Sequence, residues 1–261
     1  MLADQEPIGK SVDSNELVKP TLENSFELQE SNVDTDQAVN YVTTVIRGLQ
    51  IDRVKIVSLI GGAASGKSTL RQSLIERLNQ KELSTDYIST DDFSRGNREW
   101  RWANFEGKGD VDPIGKYDFD FLNEKLRQIK ENQDSDKTIA VPTYDQATGL
   151  AIDAGEENYT HHVGKVDVLI IEGDFHPVEE PDMVVYLHVP DDQRLQNRVN
   201  RDVEHRGGDP EKTTNSFNFR HLTQHLPHTL PSIEKADIVL DINTTNDTWT
   251  FDIYNSKVTN I

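Results

Sequence analysis

Apolar positions are unevenly distributed along this chain. Residues 1–33 are polar and acidic and hold neither helical nor alternating periodicity, which predicts a mostly disordered acidic leader. The pattern changes at residue 34. Asp34, Thr35 and Asp36 offer caps ahead of Ala38, Val42, Val45, Ile46 and Leu49, so an N-terminal helix is expected over 34–49. Gly48 and residues 50–53 close it and lead into a mainly apolar run, 54–60. Leu70, Leu74, Ile75 and Leu78 then mark one face of a second helix. Strand-like runs follow at 87–90, 138–141, 166–171, 183–189 and 237–242, separated by helical patterns such as 121–129 and 194–206. Strands alternating with helices imply α/β architecture: a mainly parallel sheet covered on both faces, in three layers. The runs 166–171 and 183–189 are almost uniformly apolar, as central strands require. Residues 50–245 make the main domain and 246–261 a C-terminal extension, in which 249–254 reads as an extra edge strand or a docking helix.

Composition narrows the setting. With 261 residues the chain can build one large α/β domain, and it contains no cysteine, which excludes disulfides and thiolate metal sites. No apolar stretch approaches the ~18 residues of a membrane span, so a cytoplasmic enzyme is the expectation. The formal charge is −19, and the first 36 residues contribute nine acids and two lysines to it. Such a field argues against nucleic acid or anionic membrane as a partner. It fits an ordinary solvated surface first and adaptation to high salt second.

Candidate chemistry begins directly after the run 54–60. Gly61, Gly62, Ala63, Ala64, Ser65, Gly66, Lys67, Ser68 and Thr69 fit the phosphate-cradling pattern G-x-x-x-x-G-K-[ST] in its required strand–turn–helix context. Glycines at both ends let the backbone curl so that its N–H groups face phosphate oxygens, and the opening helix adds its positive end. Lys67 brings a full charge toward the β/γ-phosphates and Ser68 a hydroxyl for Mg²⁺. The chain is expected to bind a nucleoside triphosphate.

Parallel α/β sheets bind ligands at the carboxyl ends of their strands, and the informative acids fall there. The run 87–90 ends in Asp91 and Asp92, 166–171 in Glu172 and Asp174, and 138–141 is followed by Pro142, Tyr144 and Asp145. The run 183–189 opens a helix carrying Arg194, Arg198, Arg201 and Arg206. Phosphoryl transfer needs a base or orienter for the attacking hydroxyl, carboxylate help for Mg²⁺, and cations for developing charge. Asp91 suits the first, Glu172 the second, and an arginine lid over about 191–232 the third.

These motifs together resemble the uridine kinase and phosphoribulokinase family of P-loop NTPase kinases from about residue 54 to 242, with the uridine–cytidine kinases as the most similar branch. The strand–Asp–x–Phe element is matched by Asp91, Asp92 and Phe93, which implies that Asp91 is the catalytic base beside Lys67. A ribose-contacting Asp-x-Pro-x-x-Phe-Asp stretch is similar to Asp112 through Asp118, with Pro113 displaced by one position. The nucleoside-contacting Tyr matches Tyr144, and the Arg-rich lid matches Arg194, Arg198, Arg201, Asp202, Arg206 and Gly207. The resemblance implies Asp112, Tyr144 and Arg194 at the acceptor, Arg198, Arg201 and Arg206 at ATP, and Ser68 and Glu172 at Mg²⁺. It departs at Ser94, Gln146 and Gly208, and the His and Arg that help read a pyrimidine have no counterpart near 148–151. A stretch from Arg95 to Gly109 instead carries Arg98, Trp100, Arg101 and Trp102, which either meet substrate or pack on the core.

The expected activity is ATP- and Mg²⁺-dependent transfer of the γ-phosphoryl group to a hydroxyl, foremost the uridine or cytidine 5′-OH. A sugar, sugar phosphate, glycerate or pantothenate-like alcohol is the alternative acceptor, and a nucleotide-binding regulator the alternative class. Homo-oligomerisation is left open. His221, His225 and His228 share one helical face on paper, yet Pro227 interrupts the helix and lid or surface roles outweigh a metal site.

Overall fold

The computed structural model describes residues 13–106, 108, 112–133, 137–145, 148–152, 161–175, 178–245 and 248–258. In chain order the elements are α1 (Ser14–Ser25), β1 (Phe26–Val33), α2 (Thr35–Gly48), β2 (Lys55–Gly61), α3 (Lys67–Gln80) and β3 (Thr85–Ser89). The short α4 (Arg98–Arg101), then α5 (Phe119–Glu131), precede four three-residue strands. These are β4 (Ile139–Val141), β5 (Thr143–Asp145), β6 (Leu150–Ile152) and β7 (His161–Val163). Then come β8 (Val168–Gly173), β9 (Met183–His188), α6 (Asp191–Arg206), α7 (Pro210–Arg220), β10 (Ile238–Thr245) and β11 (Thr248–Ser256).

The main sheet runs β1-β11-β10-β9-β2-β8-β3. The β10-β9-β2-β8-β3 block is parallel, while β11 is antiparallel to both β10 and β1. β8 and β9 are buried at every position, as their unbroken apolar runs require of central strands. Alternation along β2 divides the core between two faces. Val57 and Leu59 pack with Val42 and Ile46 of α2 and Leu70, Leu74 and Leu78 of α3. On the other face Ile56 joins Ile88, Leu169 and the Leu122–Leu126–Ile129 stripe of α5. Farther along that face Ile60 joins Tyr186, Val239, Leu230 and Ile233. The expected three-layer α/β/α sandwich with a mainly parallel sheet is the fold observed.

The helix expected over 34–49 is α2, and Asp34 caps it with a reciprocal box: its carboxylate accepts from Gln37 N at 2.8 Å while Gln37 Oε1 accepts from Asp34 N at 3.0 Å. The expectation of disorder over 1–33 fails wherever the leader is described; residues 1–12 lie outside the described residues. Val18, Leu22 and Phe26, four residues apart, are buried against Ile60, Val184 and Tyr186. Only one stripe of α1 is apolar and Pro20 lies within the helix, so the segment carries little helical signal of its own. In β1 only Phe26 and Val33 are buried, and the strand exists through its pairing to β11. β11 itself answers the question left open at 249–254: it is a strand flanked on both sides, and β1 is the edge.

Because Leu22 is 5% exposed, Leu22→Ala should lower unfolding free energy by about 2–4 kcal/mol in denaturant titration. An unchanged midpoint would return the leader to a disordered arm.

Candidate active site

The phosphate loop leaves β2 at Gly61 and enters α3 at Lys67. Gly66 is left-handed, at φ 86°, a conformation that costs other residues free energy. Gly62 is fixed by space: a Cβ there would lie 2.4 Å from Arg194 Nη1 and 2.9 Å from His225 Cε1. The Lys67 ammonium, on a residue 7% exposed, donates to Gly61 O at 2.8 Å, Gly62 O at 2.9 Å and Asp174 Oδ1 at 2.8 Å. One residue on, Ser68 Oγ donates to Glu172 Oε1 at 2.7 Å. Arg71 Nη1 holds the other Glu172 oxygen at 2.7 Å, and its guanidinium stacks 3.7 Å from the Tyr87 ring centroid. Glu172 and Asp174 reach the loop because β8 is the immediate neighbour of β2.

Asp91 follows β3 on a 3₁₀ turn, Thr90–Phe93. That turn lies against the end of β8 because Gly173 has no side chain; a Cβ would come within 2.5 Å of Thr90 Oγ1. Asp91 reaches solvent yet is crowded by protein, and loss of hydration raises its pKa, with Asp174 adding to the effect. Lys116, the Tyr117 hydroxyl (3.1 Å from Oδ1) and Lys67 oppose that rise without cancelling it. Asp174 ends on the other side: burial works against its charge, but Lys67, Lys116 and Arg220 outweigh it and hold the pKa down. Asp92 is structural. It accepts from Tyr144 N at 2.8 Å and Ser89 N at 3.1 Å, and burial pushes its pKa to about 6 despite them.

Several sequence-selected residues take other partners. Asp112 is exposed and caps the 3₁₀ turn Pro113–Lys116 through Ile114 N at 2.9 Å. Tyr144 Oη accepts from Arg101 Nη2 at 2.9 Å. Arg101, 5% exposed, also donates to Gly96 O at 2.7 Å and Gly149 O at 2.8 Å, so it is a clamp beneath the stretch 95–109. Trp100 and Trp102 remain 42% and 44% exposed, and Gln146 lies outside the described residues.

Among the lid arginines, Arg194 is buried, bonded to Asp191 and 3.3 Å from His221 Nδ1. It therefore seats the lid on Gly62. Arg198 lies 3.6 Å from Asp202 and lines the cleft beside Ala63 with Asp174, Phe175, Arg220 and Gln224. Burial, reinforced by Arg220, lowers its pKa to about 10. The Arg201 side chain is 41% exposed and bonds Asp202 at 3.0 Å; the Arg206 side chain lies outside the described residues. Asn197 Nδ2 donates to Ala64 O at 3.1 Å, fastening α6 to the loop.

Asp191, His221 and His225 bring ligand atoms within 4.8 Å of one another. Arg194 Nη2 lies 3.3 Å from His221 Nδ1, and His221 Nε2 faces Asp191 Oδ2 at 3.4 Å. Arg194 and His221 thus converge on the one Asp191 carboxylate beside the phosphate loop. Burial, with Arg194 adding, keeps the His225 pKa well below normal. His228 stands apart, 3.8 Å from Asp112. Sequence reasoning missed Arg71, Lys116 and Arg220. For Arg71 a signal existed, one helical turn after Lys67.

The parallel core and the glycine loop entering α3 define an α/β protein of the P-loop kinase class. The profile of the phosphoribulokinase / uridine kinase family matches residues 56–249, and the chain belongs to that family. It is 27% identical over 201 residues to a uridine kinase of Borrelia hermsii, covering 74% of this chain and 89% of that one. A phosphoribulokinase of Synechocystis is 28% identical over 199 residues, 74% of this chain but 55% of that protein. Two solved structures share the fold. A candidate fructose transport system kinase from Silicibacter has a TM-score of 0.57 at 22% identity, covering 76% of this chain and 94% of its own. A D-glycerate 3-kinase from Cryptococcus neoformans has a TM-score of 0.53 at 15% identity, covering 74% and 87%. No helix among the described residues is long and apolar enough to cross a membrane.

Removing the Arg101 guanidinium would leave two carbonyls and the Tyr144 hydroxyl without their donor. Arg101→Ala should therefore cost about 2–4 kcal/mol of stability in chemical denaturation. A cost under about 0.5 kcal/mol would mean that Arg101 is no clamp.

Proposed function

We propose that this protein is a kinase that transfers the γ-phosphoryl group of ATP, with Mg²⁺, to a hydroxyl of a small molecule. The observation that carries the reading is the arrangement of side chains at the mouth of the phosphate loop: Lys67 on Asp174 at 2.8 Å, Ser68 on Glu172 at 2.7 Å, and Asp91 at the end of β3, 3.1 Å from the Tyr117 hydroxyl. Lys67 would hold the β/γ-phosphates. Ser68 Oγ and Glu172 Oε1, 2.7 Å apart, form the all-oxygen pair that a hard cation prefers, and Mg²⁺ there would neutralise phosphate charge. Asp91 takes the acceptor's proton as its oxygen bonds to the γ-phosphorus. The bond to the β–γ bridging oxygen breaks, and ADP leaves with that electron pair. Arg198 and Arg220, which line the cleft beside Ala63 and Asp174, would meet the developing charge.

The pyrimidine nucleoside 5′-OH is the first acceptor reading, supported by relatives named uridine kinase. A second reading, an alcohol that also carries an anionic group, is favoured by two observations. Lys116 is buried on the acceptor side, 5.0 Å from the Tyr117 ring centroid, and the Tyr144 phenol is engaged by Arg101. Mg²⁺·ATP-dependent ADP release, with product masses, across uridine, cytidine, sugars, sugar phosphates, glycerate and pantothenate-like alcohols separates them. A signal confined to the nucleosides upholds the first, and a signal confined to anionic alcohols the second. ATP binding with no acceptor-dependent ADP release would sink the kinase and leave a nucleotide-binding regulator.

Asp91→Asn should reduce turnover by about 10²–10⁴-fold while ATP affinity stays within about threefold. The pH profile should follow the same carboxylate. Because the base works ionised and its pKa is raised, activity should fall on acidification above the ordinary carboxylate range. Lys116 favours the ionised form, so Lys116→Met should move that acid limb to higher pH, and an unmoved limb would separate the limb from Asp91.

A further inference from the structure

Trp249 lies far from the loop in sequence and against it in space. It is the second residue of β11, which pairs antiparallel with β10, and β10 belongs to the same parallel block as β2. Both strands therefore point their carboxyl ends toward the loop. A Cβ on Gly66 would stand 3.1 Å from Trp249 Cζ3 and 3.3 Å from Cη2, so the six-membered ring of the indole lies against the backbone where the loop becomes α3. The ring is half-buried and packs on the core formed by α2, α3 and the sheet, which fixes its orientation.

We propose that Trp249 is the platform on which the base of the bound nucleotide stacks. The inference rests on the reading of residues 61–69 as a triphosphate cradle. In such a cradle the lysine reaches the β/γ end while the loop's N–H groups hold the α/β end. Lys67 points to Asp174 and the Asp91 cleft, so the γ end lies there. The α end then lies toward Gly66 and the first turn of α3, and the nucleoside leaves on that side. The other flanks are already taken: Arg194 and His225 cover Gly62, and Asn197 holds Ala64. An indole face meets any base, so the platform gives affinity without choosing between adenine and guanine. A ring already ordered by packing loses little entropy when it does so.

Calorimetric titration of the full chain with MgATP, MgGTP and magnesium tripolyphosphate tests this. Trp249→Ala should weaken both nucleotides by roughly 10- to 100-fold and leave tripolyphosphate within about twofold, with most of the loss restored in Trp249→Phe. An equal loss for tripolyphosphate would make the indole only a prop for Gly66 and overturn the proposal. Unchanged nucleotide affinity would overturn it too. A wild-type chain that binds neither nucleotide nor tripolyphosphate brings down the phosphate-loop reading itself, a pattern distinct from both. Should Trp249→Ala fail to fold, the Trp100→Phe/Trp102→Phe double variant leaves Trp249 as the sole indole of the chain's three. Its emission should change with MgATP and not with tripolyphosphate; the same response to both, or to neither, would overturn the proposal.

Discussion

The cleft is organised around one buried cation. An ammonium removed from water must be compensated, and Lys67 finds two loop carbonyls and the Asp174 carboxylate within 2.9 Å. That requirement constrains three chain segments at once. The loop must curl so that Gly61 and Gly62 turn their carbonyls inward, and β8 must end beside β2 so that Asp174 arrives. Lys67 helps to keep Asp174 ionised, while loss of hydration raises the pKa of the neighbouring Asp91 and the Asp174 charge adds to that rise. Two neighbouring carboxylates thereby take opposite tendencies: burial outweighs the nearby cations at Asp91, whereas Lys67, Lys116 and Arg220 outweigh burial at Asp174. The pair is suited to different tasks without any difference in residue type.

A second hub, Asp191, ties that loop to the periphery. Its carboxylate accepts Ser14 N at 2.9 Å and Ser14 Oγ at 2.7 Å, bonds Arg194, and faces His221. Arg194 in turn fills the space beside Gly62. The N-terminal helix thus reaches the phosphate loop through one carboxylate and one guanidinium. Burial of Asp191 disfavours its charge, but Arg194 and Ser14 outweigh this and keep its pKa low, so the hub stays ionised near neutrality. The segment that is least structured by composition is bonded to the base of the lid.

What was legible in the sequence follows from how local each signal is. The capped helix over 35–48, the strand runs 166–171 and 183–189, and the loop 61–69 each carry their pattern within a few residues. Lys67, Ser68, Glu172 and Asp91 were legible for the same reason, as strand ends and a motif. Helix α1 and strand β1 were not, because their stability is borrowed: three spaced apolar residues meet Tyr186 and Ile60, and β1 is held by β11. Lys116 and Arg220 were equally hidden, since nothing in their neighbourhoods shows that both face Asp174. Arg194 was visible as an arginine of the lid helix, but its partner Asp191, three residues earlier, turns it from a substrate group into a fastener.

The charge distribution completes the argument about what can enter this cleft. The chain carries −19 overall, yet Lys67, Lys116, Arg194, Arg198 and Arg220 converge on the phosphate loop and its cleft. Surface charge is screened beyond about 8 Å at physiological salt, whereas the buried cations act at contact distance with little screening. A small anion that fits wholly inside meets the cations alone, and more so when a bound divalent cation has already reduced its charge. Arg198 remains protonated under these conditions, because a pKa of about 10 still lies well above neutrality. Burial lowers that value, and the same burial makes Arg198 more effective, since a cation stripped of water interacts more strongly with a phosphate beside it. A net negative chain that gathers its buried cations at one cleft has the charge arrangement that the proposed transfer between small phosphorylated molecules would use.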